Sequence, residues 1–374
     1  MKILHVQKIK GVAGSEKYLM ALLPELVKKG IQVELVCICS LQEKQQLHSF
    51  FNHFISQNIA VHVIEITRFS IVKVVRNLKK IVGQNKFDIV NSHLIHAEFY
   101  CALLKLIGVK FKLVSTKHGY SESFTSKGYF NVNVPKDLYY FITKFNEKFI
   151  YKSIAVSKAL KKLYYNNRLT SSENIEVIYH GYDYAKISEN EIQTSSNYQL
   201  AIVGRLIPLK GHKYALKALS ILINRVKNVR LTIVGSGSHE TVLRDLAKEL
   251  NIADQVKFVG FQSNPRVWMA NANVVLVPSI SEGFGLTIIE AFSVKKPVIA
   301  FDVPACNEIV NEFNGFLIPP FDCEIFAQKI ELLLTQPKLV HNKGEVALND
   351  QLIKFNLSTM INKHCQFYAN CVAD

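Results

Sequence analysis

The chain has 374 residues, 49% hydrophobic and 20% charged, which supplies sizeable cores and excludes a disordered tail. At about 150 residues per domain the length suits two or three domains, and no run of 18 apolar residues offers a membrane span. The formal net charge of +15 is uneven: residues 1–190 hold 27 Lys and Arg against 14 Asp and Glu, residues 191–374 hold 18 against 16, so nucleic acid, anionic lipid and an anionic substrate are candidate partners of the first half, with a lysine-rich solvated surface as the competing reading.

In chain order, Ile3–Val6 reads as an apolar strand. Lys8 and Lys10 interrupt any hydrophobic leader, so the start is read as a strand and not as a signal peptide. A loop with Gly11 and Gly14 leads into a helix whose Leu19, Leu22, Leu23, Leu26 and Val27 share one face, and Gly30 ends it. Strands follow at Ile31–Ile38, Phe87–Val90, Lys112–Ser115 and Ile154–Ser157. After the polar stretch Ser188–Asn197 the rhythm restarts. Strands fall at Leu200–Val203, Val229–Val234, Val256–Val259, Val274–Val277 and Pro297–Phe301, with helices at Lys213–Ile223 and Val242–Leu250. Apolar strands alternating with amphipathic helices predict parallel sheets covered on both faces. Two α/β domains of similar size, with a cleft between them, are expected. Near the end, Leu357, Met360, Ile361, Cys365 and Phe367 suit a helix that returns to the first domain.

The seven cysteines are scattered and odd in number, which fits a reduced cytoplasm better than a disulfide framework. Cys37 and Cys39 alternate in an apolar strand and read as core, since no paired Cys spacing or His companion suggests a metal.

The most informative segment is Glu282-Gly283-Phe284-Gly285-Leu286-Thr287-Ile288-Ile289-Glu290. It follows a strand and a Pro-Ser turn, at the carboxyl end where open α/β sheets bind ligands. Gly283 and Gly285 let the backbone approach a ligand. A helix beginning near Leu286 directs free N–H groups at it, which suits phosphate. Glu290 sits among apolar residues and needs strong partners, such as ligand hydroxyls. A second anion site is Gly204-Arg205-Leu206-Ile207-Pro208-Leu209-Lys210-Gly211, where Arg205 offers a planar fork and Lys210 a point charge.

Together these residues resemble a retaining glycosyltransferase of family 4, glycosyl transferases group 1, with the GT-B fold. Glu282 and Glu290 match its E-x7-E signature. The Gly204–Gly211 loop, His180-Gly181-Tyr182-Asp183 and Asn314-Gly315-Phe316-Leu317 match further motifs. The resemblance implies two Rossmann-like parallel-sheet domains facing across a cleft. Residues 1–183 would bind acceptor and 184–355 the nucleotide sugar, and 356–374 would form a helix crossing back.

It also implies roles. Arg205 and Lys210 would hold the donor's diphosphate, and Glu290 the ribose. Glu282 would contact the transferred sugar. Amides of Gly283, Phe284, Gly285 and Leu286 would meet sugar and phosphate, with Thr287 as a cap. Gly14 would approach the diphosphate, although the family often has Gly-Gly where this chain has Ala13-Gly14. His118 would touch the donor sugar, with His93 and His96 as weaker acceptor candidates. Gly235-Ser236-Gly237 is read as a structural turn. The catalytic set is therefore Glu282, His118, Arg205 and Lys210.

No Asp-x-Asp occurs in the chain, so the two cations are expected to replace a metal, with no cofactor. The expected activity is retaining transfer of a hexose or N-acetylhexosamine from a nucleotide sugar, with UDP favoured over GDP, to a saccharide or lipid-linked acceptor. Cell-surface polysaccharide, lipopolysaccharide or glycolipid synthesis is the expected setting, in the cytoplasm. The rivals are a sugar-nucleotide epimerase or hydrolase on the same fold, and a non-catalytic nucleotide-sugar binder. A Rossmann oxidoreductase lacks its Gly-x-Gly-x-x-Gly after the first strand, and nothing resembles a nucleic-acid motif.

Pro135–Ser153 reads as a helix with Leu138, Phe141, Ile142, Phe145 and Phe149 on one side and Lys136, Lys144, Lys148 and Lys152 beside them. It is a candidate for reversible binding to an anionic membrane face; core packing is the competing reading.

Overall fold

The computed structural model describes residues 1–67, 71–121, 134–192 and 195–373. Residues 193 and 194 of the polar stretch therefore lie outside the described residues. The chain divides into two compact units. The first takes its described residues from Met1–Ser121, Val132–Tyr182 and Leu357–Asp374, and the second from Asp183–Asn356.

The first unit is built on seven parallel strands: β1 (Lys2–Lys8), β2 (Gln32–Cys39), β3 (Ala60–Glu65), β4 (Ile89–His93), β5 (Lys112–Lys117), β6 (Lys152–Ala155) and β7 (Ile175–Val177). Their order is β3-β2-β1-β4-β5-β6-β7, so the chain reverses direction across the sheet between β1 and β4. Alternate residues serve two cores. Ile3 and Ile89 face the helices Gly14–Lys28 and Leu357–Ala373, whereas Leu4 and Val90 face Ile71–Gln84 and Leu94–Leu106. Burial on both faces explains why the strands are nearly continuous apolar runs. The edge strands β3 and β7 carry a weaker signal, because β3 is mostly half-buried and β7 has three residues.

The expected helix over Pro135–Ser153 is shorter. Asp137 accepts a hydrogen bond from the Tyr140 amide and starts it at Leu138, it ends at Glu147, and Lys152 and Ser153 belong to β6. The polar residues Thr143 and Asn146 face inward, while Leu138 and Phe141 stay exposed. All seven cysteines are free, and Cys37 and Cys39 are buried in β2.

The second unit repeats the plan with β8 (Tyr198–Val203), β9 (Val229–Val234), β10 (Val256–Phe258), β11 (Val274–Val277), β12 (Val298–Phe301) and β13 (Gly315–Ile318), in the order β10-β9-β8-β11-β12-β13. Asn314 and Gly315 make β13 possible. A Cβ on Gly315 would lie 2.2 Å from the Val298 carbonyl oxygen. The buried Asn314 amide donates to Ile309 O at 3.0 Å and Asp350 Oδ2 at 2.8 Å. The helix Pro337–Lys354 closes this unit, and Leu357–Ala373 packs in the first, burying Met360, Ile361 and Phe367. Each unit is a Rossmann-like parallel sheet.

A buried ion cluster ties β5 to two helices. Lys117 Nζ lies 2.8 Å from Glu98 Oε1 and 2.6 Å from Glu147 Oε1, all three side chains being at most 5% exposed. Burial pulls the lysine pKa down, but the two carboxylates outweigh it and hold the pKa above its ordinary value. Burial pushes the Glu147 carboxyl up. Replacing Lys117 by Met strands two buried carboxylates, so stability should fall by about 3–5 kcal/mol. A Tm drop of roughly 10 °C in calorimetry is expected, partly reversed by adding Glu147→Gln.

Candidate active site

In the second unit, three carboxyl-end loops are locked together by backbone contacts that only glycine allows. Gly235 has φ +140°, and a Cβ there would lie 1.9 Å from the Gly204 carbonyl oxygen. Gly211 has φ +67°, and its Cβ would lie 1.8 Å from Pro278 O. The loop after β8 is thereby sewn to those after β9 and β11. Leu206 N–H donates to Ser236 O at 2.9 Å and Ile280 N–H to Leu209 O at 2.8 Å. The Gly235-Ser236-Gly237 turn is thus a packing element beneath Gly204.

This lock sets the stem of Lys210 over Gly204, 3.7 Å from where a Cβ would stand. Lys210 Nζ reaches Glu282 Oε1 at 2.6 Å, the side chains being 20% and 11% exposed. The residues expected on diphosphate and on sugar are therefore paired directly, across loops 72 residues apart. Arg205 is exposed beside them, and Gly283 is half-buried. Phe284 is buried against Phe355, ring centroids 5.8 Å apart, so its side chain is core and only its backbone can meet a ligand. Gly285 caps the helix Leu286–Phe292 with φ +104°, and Leu286 and Thr287 are half-buried at its start. Glu290 is buried in that helix. Nearby, Arg266 donates to Ser293 Oγ at 2.9 Å and Ala185 O at 2.8 Å and lies 4.6 Å from the Tyr184 ring centre. Burial lowers its pKa, while Tyr184 and Glu290 oppose that shift. This support for Glu290 had no sequence signal.

In the first unit, one sheet face turns from apolar to polar toward the carboxyl ends: Ile3, His5, Gln7 on β1; Ile89, Asn91, His93 on β4; Val114, Thr116 on β5, then His118. His5 stands level with Asn91, Gln7 with His93, and His93 with Thr116. Gln7 donates to Glu16 Oε1 at 2.5 Å and Ser15 Oγ at 3.0 Å, and Glu16 accepts from the Ala13 amide at 3.0 Å. Gly14 opens this helix and is exposed. His5 Nδ1 lies 2.9 Å from His93 Nε2, and His93 Nδ1 lies 3.0 Å from His118 Nε2. Tyr18 lies edge-on to His118 and His180 and shares a 2.5 Å hydrogen bond with His364 Nε2. Asn91 donates to the Tyr368 hydroxyl at 2.7 Å.

His93 is fully buried as the middle of this chain, so it is no direct acceptor contact; His96 is exposed. The contacts that bring His5, Tyr18, Asn91, His180 and His364 into this cluster are not among the sequence-based expectations. The polar residues alternating within β1 and β4 were the available signal for His5 and Asn91. Among the described residues no group of three or more His, Cys, Asp or Glu could hold a metal ion.

The chain matches two family models: Glycosyltransferase Family 4 over residues 12–186, and Glycosyl transferases group 1 over residues 184–368. It belongs to the group 1, family 4 glycosyltransferases. An uncharacterized glycosyltransferase of Haemophilus influenzae is 25% identical over 89% of this chain and 90% of its own length. The Escherichia coli UDP-Gal:alpha-D-GlcNAc-diphosphoundecaprenol alpha-1,3-galactosyltransferase is 23% identical over 100% of this chain and 98% of its own. Anabaena HepE, crystallised with UDP and glucose, superposes with a TM-score of 0.80 at 21% identity, covering 99% of this chain and 100% of its own. The fold is GT-B, and the enzyme is a glycosyltransferase.

Burial holds the histidines of the first unit neutral: His5 and His118 fall from 6.5 to about 3 and His364 to about 4, and His93 and His180 lie well below their usual value. Below pH 6.5 the unfolded chain binds protons that these folded groups refuse, so stability should fall as pH drops from 6.5 toward 4. Urea melts across that range should show unfolding coupled to uptake of more than one proton.

Proposed function

We propose that the enzyme transfers a hexose or N-acetylhexosamine from a UDP-sugar to a saccharide or lipid-linked acceptor with retention of configuration, in cell-surface polysaccharide or glycolipid synthesis. The observation that carries this reading is the Lys210–Glu282 pair, held over Gly204 beside Arg205 at the carboxyl end of β8. The E. coli relative, whose name specifies a UDP-sugar donor and a lipid-linked acceptor, supports the choice of substrates.

On this reading the donor's diphosphate takes up the Lys210 ammonium and the Arg205 fork, while Glu282 turns to hydroxyls of the transferred sugar. Glu290 holds the ribose, and amides from Gly283 to Leu286, with Thr287, meet sugar and phosphate. Gly14 and His118 keep the donor-contact roles that the family resemblance implies for them. The acceptor oxygen bonds to the anomeric carbon as the bond to the diphosphate oxygen breaks. The acceptor's proton passes to a leaving-phosphate oxygen. Charge grows on the diphosphate in the transition state, so fixed cations lower the barrier. No metal takes part.

Charge-assisted contacts of about 1.5–3 kcal/mol give roughly 10–150-fold losses. Lys210→Ala or Arg205→Ala should therefore cut turnover in UDP-release assays by that factor, with a smaller effect on donor affinity. Full activity in EDTA is expected. Near-normal turnover in both folded variants, or loss in EDTA restored only by a divalent ion, would overturn the metal-free clamp. UDP release that does not depend on acceptor would instead favour a hydrolase.

We further propose that the helix Leu138–Glu147 rests on an anionic membrane. No helix of the described residues is long and apolar enough to cross one. This helix leaves Leu138 75% and Phe141 57% exposed, with Lys136 and Lys148 exposed at its two ends. Lys144 is committed to the Arg168 carbonyl and Phe145 packs on Phe99, so both leave the surface set first expected. Each lysine at such a surface contributes about 1 kcal/mol at low salt. Flotation should recover the protein with anionic vesicles and not with neutral ones. Lys136→Glu with Lys148→Glu should abolish recovery; equal recovery on neutral vesicles would sink the proposal.

A further inference from the structure

The chain His5, His93, His118 climbs the sheet diagonally. Each step moves one strand across and two residues toward the carboxyl end, because His5 is level with Asn91 and His93 with Thr116. The ring centroids lie 5.3 Å apart at both steps, with interplanar angles of 19° and 28°. Each hydrogen bond joins Nδ1 of one ring to Nε2 of the next.

Neutral imidazole has one N–H and one lone pair. Each contact needs one of each, so three neutral rings must share one tautomer. If His5 holds its proton on Nδ1, so does His93, and so does His118; if on Nε2, all three follow. Burial keeps the rings neutral. Either choice leaves one N–H at one end and one lone pair at the other. The two end atoms, His5 Nε2 and His118 Nδ1, are buried and have no hydrogen-bond partner among the described residues.

The ends differ in their surroundings. His5 lies in the middle of β1, fully buried, with the Tyr368 ring edge-on at 6.3 Å. His118 follows the carboxyl end of β5 and is half-buried. A buried N–H without an acceptor is among the rarest defects of native proteins. A proton on His5 Nε2 would create that defect where no ligand can arrive. A proton on His118 Nδ1 places the donor at the end of the sheet where ligands bind.

We infer that His5 and His93 are positioning residues that fix His118 in its Nδ1–H tautomer, so that His118 offers a hydrogen-bond donor to a ligand oxygen and not a basic lone pair. The oxygen can be a sugar hydroxyl or a phosphate oxygen; an ammonium or amide N–H is refused. This rests on the reading that His118 touches the donor.

The test uses the full-length protein labelled with imidazole-15N histidine. Long-range 1H–15N spectra report each ring's tautomer, assigned by single substitutions among the 12 histidines. His5, His93 and His118 should all show Nδ1–H. In His93→Leu, His118 should lose that preference. In His93→Asn, whose amide can donate from the place of Nδ1, it should keep it. With UDP-glucose or UDP-N-acetylglucosamine as probe, whichever is turned over, His93→Leu should lower kcat/KM about 2–10-fold, the size of one neutral hydrogen bond. His93→Asn should recover most of it. If His93→Leu fails to fold, His93→Ala, which breaks the same link and leaves room for water in place of the ring, should release the bias at His118 in the same way. An Nε2–H tautomer at His118 in the native protein, or an unchanged Nδ1–H in the folded His93→Leu or His93→Ala variant, overturns the inference. Tautomers as inferred, with normal transfer by His118→Ala, would leave the chain standing and remove His118 from the donor.

Discussion

The first unit depends on burying polar side chains at the carboxyl ends of its central strands while giving each of them at least one partner. Burying an unmatched amide, hydroxyl or ring nitrogen costs on the order of 1–3 kcal/mol. Asn91, Thr116, Gln7 and three imidazoles lie on one sheet face, and most of the neighbouring architecture supplies their partners. Glu16 and Ser15 answer Gln7 from the helix Gly14–Lys28. Tyr368 answers Asn91, and Tyr18 is met by His364 from the helix Leu357–Ala373. The histidines answer one another. The opposite face solves the same problem with charge, one lysine between two carboxylates.

The second unit meets a different constraint. Its cation and carboxylate lie on loops that close packing of backbone brings together, with carbonyl oxygens occupying the space a side chain would need at Gly204's neighbour Gly235 and at Gly211. Rigid glycine contacts hold the base of Lys210, while its long stem leaves the ammonium free to change partners. The pairing with Glu282 keeps both charges compensated at partly buried positions.

The alternation of apolar strands and amphipathic helices made both sheets legible, since parallel strands buried on two faces leave long hydrophobic runs. Short edge strands such as β7 were not legible, because three residues carry no period. Glu282, Lys210 and Arg205 stood out through loop chemistry after strands. The histidine chain did not, although its members sit in plain strand alternation. Linking His5 to His93 and His118 requires the strand order and register, which place β1, β4 and β5 side by side. Strand order follows from long-range packing and not from local propensity. The helix Leu138–Glu147 is shorter than its apolar spacing predicts, because that spacing continues into β6 and only the cap at Asp137 and the turn after Glu147 bound it.

The place of Leu357–Ala373 bears on how the protein is made. Tyr18 and His364 are separated by 346 residues, and the whole second unit is encoded between them. A ribosome at roughly 5–20 residues per second therefore releases the first sheet well before the helix that completes its core. During that interval Tyr18, Leu19 and Asn91 lack the cover that Met360, Phe367 and Tyr368 later provide. The second unit has all its strands in one uninterrupted stretch and can close first. Vectorial synthesis thus runs against the numbering: the half that emerges first is the half that finishes folding last.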